Sequence, residues 1–266
     1  MTLHANRERL VVLDADGTTI DAFHAIEQTF LRHGMAIGDL ARFQKRRKLF
    51  KYLGGLREFP TNLRRQFGKQ RRKQLLATLT EVYRHEACLY QGIDSLLRTL
   101  LAAPDVRVGL VTRNITFEPE ETLRCLFERH GIDTGDFDFV ACIPLKEDKT
   151  AQLKRVREFF AINPALSYAC GDEHSDYLAA IGAGMHPFIV AYGFEDCVRL
   201  SDEFKVPREV ISTSPDEFSE RLLHALNLTT ASSPRSAPPR WTAWLDDTPL
   251  TAQANRHRAE FHDHQE

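Results

Sequence analysis

Asp14 and Asp16 stand one residue apart, directly after an apolar run at residues 10–13 and directly before Gly17-Thr18. Four apolar residues in a row predict a short buried strand. In an open α/β sheet, ligands bind outside the carboxyl ends of the strands. Carboxylates placed there beside an apolar strand are costly unless something cationic compensates them. A hard divalent cation with oxygen ligands is the natural compensation. A strand running into an acidic Asp-Gly turn gives the same local pattern, so the rest of the chain has to decide.

Three further groups share the strand-then-polar design. Gly109-Leu110-Val111-Thr112-Arg113-Asn114 ends an apolar run in a hydroxyl residue, and Thr112 with the amides that follow it could hold anionic oxygens. Lys149 opens a helical pattern and would supply a cation, with Lys146 as its rival. Gly171-Asp172-Glu173-His174-Ser175-Asp176 follows the apolar stretch 167–170, with a glycine for the tight turn and two more acids. Asp176 could alternatively only cap the helix that starts there.

The elements that must position these groups follow from hydrophobic period. Residues 21–89 read as helical throughout. Asp21 caps a helix to about Arg32 with Phe23, Ile26, Phe30 and Leu31 inward. A second helix spans about 40–53, and a third about 70–89 carries Leu75, Leu79, Val82 and Tyr83 on one stripe. From Gly92 onward short strands alternate with helices. Strands are expected at 106–111, 137–143, 166–170, 187–192 and 210–212. That alternation predicts a parallel sheet covered on both faces. Residues 229–239 are rich in Thr, Ser, Ala and Pro and read as a flexible linker.

Composition limits the function classes. With 266 residues, 42% hydrophobic and 27% charged, the chain can bury a real core. No secretory signal pattern and no membrane-length apolar run is visible, and the five scattered cysteines suit reduced thiols, so a cytoplasmic setting is expected. Net charge is −2, yet residues 21–89 hold fifteen Lys/Arg against six Asp/Glu. This basic insert in an acidic protein has three readings: a clamp for a polyanionic small substrate, a contact for nucleic acid or an anionic membrane surface, or a solvated face. The sequence says nothing about oligomeric state.

The four groups, in this order, resemble the motifs of the haloacid dehalogenase superfamily, and residues 179–194 are similar to phosphoglycolate phosphatase-like members. The spacing from Lys149 to Asp172 looks like that of the phosphoserine phosphatase branch. The resemblance implies an α/β fold: a Rossmann-like parallel core over 1–20 and 90–228, an inserted all-helical C1-type cap over 21–89, and a tail over 229–266. It implies a Mg²⁺-dependent phosphatase acting on a small phosphorylated substrate. Asp14 would be the nucleophile, Asp16 the acid–base and Lys149 the charge partner. Asp14, the Asp16 carbonyl and Asp172 would hold the metal, with Asp176 just behind them. Thr112, Arg113 and Asn114 would hold the phosphoryl group. His24, Arg46, Arg47, Arg64 and Arg65 are candidate substrate contacts. Asp16 favours phosphoryl transfer over dehalogenation, since dehalogenase relatives lack it. A phosphotransferase and a protein binding or processing nucleic acid through the basic insert are the alternatives.

Overall fold

Residues Arg9–Leu13 form strand β1, and four of its five residues are buried. A computed structural model describes residues 8–34, 69–144 and 146–228. The further strands are β2 (Val106–Thr112), β3 (Phe139–Cys142), β4 (Ser167–Gly171), β5 (His186–Val190) and β6 (Ile211–Ser212). All neighbours pair in parallel, in the order β3-β2-β1-β4-β5-β6. The chain therefore reverses direction across the sheet at β1 and β4, which leaves a crevice at their carboxyl ends.

Side chains alternate across a strand, so β1 feeds two separate cores. Val11 and Leu13 join one cluster, while Leu10 and Val12 join the other. The first cluster is closed by α1 (Ala22–Arg32), α2 (Lys69–His85), α3 (Ile93–Ala102), α4 (Pro119–Arg129) and α7 (Pro215–Ala225). The second is closed by α5 (Lys149–Phe159) and α6 (His174–Ala183). The sheet is thus covered on both faces, as the alternating pattern predicts.

The structure changes two details of the sequence reading. Leu31 points outward and is 53% exposed, whereas Phe23, Ile26 and Phe30 face the core. The helix expected to reach residue 89 stops at His85, because the chain next pairs with the segment after β1. Ile20 bridges Leu89 in antiparallel fashion, Asp21 N–H donates to the Cys88 carbonyl at 2.9 Å, and Tyr90 N–H donates to that of Thr19 at 3.0 Å. The routes out of the sheet and back into it run side by side. Both flanking helices pack into the same apolar cluster as β1. The helix expected over 40–53, residues Arg46, Arg47, Arg64 and Arg65, and the tail from 229 lie outside the described residues. No helix among the described residues is long and apolar enough to cross a membrane.

Candidate active site

Asp14 continues the line of β1, its N–H donating to the Cys170 carbonyl at 2.9 Å. That bond extends the β1–β4 ladder past Leu13 and fixes the carboxylate over the crevice. Its Oδ1 accepts from the Ala15 N–H at 2.8 Å, and its Oδ2 lies 2.7 Å from Lys149 Nζ. Lys149 is the first residue of α5, after Asp148, whose side chain accepts the Thr150 N–H at 3.0 Å. A cation at a helix N-terminus opposes the helix dipole. Its ammonium is held there by two acids, Asp14 Oδ2 and Asp176 Oδ1, each at 2.7 Å. Lys149 is buried, whereas the rival Lys146 is exposed.

Asp172 follows β4 and is fully buried. Its Oδ2 accepts the Phe194 N–H, while its Oδ1 has no hydrogen-bond partner. Asp176, in the first turn of α6, accepts the Glu173 N–H at 3.0 Å with Oδ2 and offers Oδ1 to Lys149. It therefore caps its helix and faces the site at once. Gly171 is required by this approach: a Cβ there would lie 2.3 Å from the Asp176 Cβ.

One carboxylate oxygen each from Asp14, Asp172 and Asp176 lies within 4.8 Å of the others. Among the described residues, these three buried carboxylates face a single ammonium, that of Lys149. Burial raises Asp14 to about 7 despite the lowering effect of Lys149, and burial raises Asp172 well above the usual carboxylate range. Burial works against the Lys149 charge as well, but Asp14 and Asp176 more than offset it and hold the ammonium protonated. An unpartnered buried oxygen within a cluster of excess negative charge is a donor set that suits a hard divalent cation.

Asp16 stands apart from this cluster. Its carboxylate accepts from Tyr83 Oη at 2.8 Å and from Asn114 Nδ2 at 3.2 and 3.0 Å. Burial raises its pKa, and those two donors pull against the rise. Thr112 ends β2 beside β1, and its buried hydroxyl has no partner. The Asn114 side chain is committed to Asp16 and Thr116, which leaves only its backbone amide for a phosphoryl group. Arg113 has a buried Nε without a hydrogen bond. His24 is exposed in the first turn of α1, where its N–H donates to the cap residue Asp21 at 3.1 Å. Tyr83 is the site-facing residue that sequence reasoning missed, because it occupies a regular position in an apolar helical stripe.

A parallel α/β sheet with acids at the ends of β1 and β4, and a lysine from the helix that leads from β3 into β4, is the haloacid dehalogenase-like fold. No protein-family model matches the chain, and no curated protein matches it. Solved structures do. A haloacid dehalogenase-like hydrolase from Streptococcus pneumoniae is 17% identical with a TM-score of 0.56, covering 81% of this chain and 98% of its own. CbbY from Rhodobacter sphaeroides, crystallised with phosphate, is 18% identical with a TM-score of 0.56, covering 83% and 100%. An aspartate-to-asparagine variant of CbbY, holding xylulose-1,5-bisphosphate, matches at 16% identity and a TM-score of 0.53, covering 80% and 96%.

Proposed function

We propose that this protein is a phosphatase that hydrolyses a phosphate monoester of a small anionic metabolite through a phosphorylated Asp14. The observation that carries the reading is the Asp14–Lys149 pair at 2.7 Å beside the unpartnered oxygen of Asp172. A carboxylate can attack an anionic phosphoryl group only where positive charge offsets the repulsion. Lys149 supplies one such charge. Mg²⁺, held by Asp14, the Asp16 carbonyl and Asp172 with Asp176 behind them, would supply the rest as a Lewis acid.

In the first step a carboxylate oxygen of Asp14 forms a bond to phosphorus while the bond to the leaving oxygen breaks. Protonated Asp16 gives its proton to that oxygen, releasing an alcohol. In the second step Asp16, now a carboxylate, takes a proton from water as the water oxygen attacks phosphorus. Phosphate leaves and Asp14 is restored. Such acid–base help contributes about 10²–10⁴-fold. The free hydroxyl of Thr112 and the amides of Arg113 and Asn114 hold the non-bridging oxygens. Phosphate and a sugar bisphosphate, the ligands of the CbbY structures, have the chemistry this reading requires. The basic residues inserted between α1 and α2 are the proposed source of substrate choice, by their attraction for a polyanionic substrate.

The test is Asp14→Asn, a change of one atom in the attacking group. With Mg²⁺ present, release of phosphate from p-nitrophenyl phosphate is abolished while the circular dichroism spectrum and the unfolding transition persist. Turnover that survives in this variant refutes the nucleophile assignment.

A further inference from the structure

Two elements hold Asp16, and they are braced to each other. Tyr83, 3% exposed on α2, donates to Asp16 Oδ1 at 2.8 Å. Asn114 donates to both carboxylate oxygens from the loop after β2. The orientation of the Asn114 amide is set from its other side: Oδ1 accepts the Thr116 N–H at 2.9 Å and the Thr116 hydroxyl, so Nδ2 must face Asp16. Residues 80, 83 and 84 share one face of α2, and all three meet the Asn114 side of the crevice. Thr80 Oγ1 accepts the Phe117 N–H at 3.0 Å, and Arg84 reaches Glu118 at 2.9 Å and Thr122 Oγ1 at 3.2 Å.

We propose that Tyr83 is a positioning residue for proton transfer by Asp16, tying the acid–base group to the helix that leads back from the basic insert. This rests on the phosphatase reading above. Asp16 sits on a turn just after β1, and among the described residues the side-chain donors that fix its carboxylate are Tyr83 and Asn114. Without the Tyr83 hydroxyl, one of the two donor groups is gone and the carboxylate can rotate about χ1 and χ2. A proton must be delivered along a line to the leaving oxygen, so rotation lowers the rate without touching the phosphoryl site.

Tyr83→Phe keeps the ring and removes only the hydroxyl. A leaving group that needs a proton is sensitive to Asp16, while nitrophenolate leaves without one. Full-length protein with Mg²⁺ is assayed on glycerol 2-phosphate and on p-nitrophenyl phosphate, beside Asp16→Asn. In Tyr83→Phe, kcat/KM on the glycerol ester falls by about tenfold, the scale of losing a group that orients a reacting one, and the nitrophenyl ester loses several-fold less. Asp16→Asn shows the same bias more strongly. Equal losses on both esters mean a packing role only, and no loss means no role; either overturns the proposal. If Tyr83→Phe does not fold, Asn114→Ala removes the other donor and must show the same bias. Crystal structures of the wild type and Tyr83→Phe read the geometry without turnover: Asp16 leaves its rotamer in the variant, and an unmoved carboxylate sinks the idea. Absence of turnover on both esters in the wild type is a failure of the phosphatase reading, and the crystal structures then judge the Tyr83–Asp16 link by itself.

Discussion

Gly17 and Asp172 pack so closely that a Cβ on Gly17 would lie 2.3 Å from Asp172 Oδ2. Gly17 also has φ +82°, a left-handed conformation that L side chains adopt only with strain. Gly17→Ala should therefore cost about 1–2 kcal/mol from backbone strain alone. It should also push Asp172 off its place at the end of β4. The measurable result is a lowered unfolding midpoint together with loss of the stabilisation expected of Mg²⁺ in the parent protein. A variant that keeps its full Mg²⁺ response contradicts the contact.

The buried acids should make metal-free stability fall with rising pH. Burial raises Asp14 to about 7 and raises Asp16 and Asp172 as well. The folded state thus holds more protons than the unfolded one between the ordinary aspartate range and neutrality. Their contribution is fully present below the unfolded pKa and is lost as pH climbs through the folded values. Acids lowered by partners, such as Asp148 and Glu217, act only at lower pH and do not mask this window. With chelator present, thermal midpoints should be lower at about pH 8 than at about pH 5.5, and Mg²⁺ should close the gap. A metal-free midpoint that rises across this range contradicts the burial of these groups.

Asp172→Asn separates the cost of the site from its use. The variant replaces a buried acid, which burial and the nearby Glu173, Asp176 and Asp14 hold above the usual carboxylate range, with a neutral amide. In chelator at neutral pH its unfolding midpoint should equal or exceed that of the parent, since the site trades stability for function. Added Mg²⁺ should then raise the midpoint far less than in the parent. Calorimetry with and without metal checks both halves, and a large undiminished Mg²⁺ response removes Asp172 from the donor set.

How much of this was legible follows from how local each signal is. β1 announces itself because four of its residues are buried on both faces and read as an unbroken apolar run. Asp14, Thr112, Lys149 and Asp172 stand at strand or helix ends, where sequence pattern alone marks a change of element, and the parallel topology brings those ends together. Tyr83 gives no such sign. Its spacing with Leu75, Leu79 and Val82 is that of a core residue, and its partner Asp16 is 67 positions away. The end of α2 was misplaced for a related reason: residues 88–90 pair with 19–21, a contact that no helical period encodes.

The last turn of α2 depends on one side chain from α4. Arg129 donates from Nη1 to the His85 carbonyl at 3.0 Å and from Nη2 to those of Tyr83, at 3.3 Å, and Ala87. A helix leaves its final carbonyls without intrahelical partners, and a cation there also complements the dipole. Arg129→Met keeps the apolar stem and removes the donors, which should cost about 1–2 kcal/mol. The loss should be local: amide exchange should quicken in residues 83–88 before it changes in β1 or β4. Because the Tyr83 carbonyl is among those held, its hydroxyl should also sit less firmly on Asp16. Turnover of glycerol 2-phosphate should then fall more than that of p-nitrophenyl phosphate, in the direction expected for Tyr83→Phe but smaller. Unchanged exchange at the end of α2 would show that the packing of Leu79, Val82 and Tyr83 against β1 suffices without the arginine.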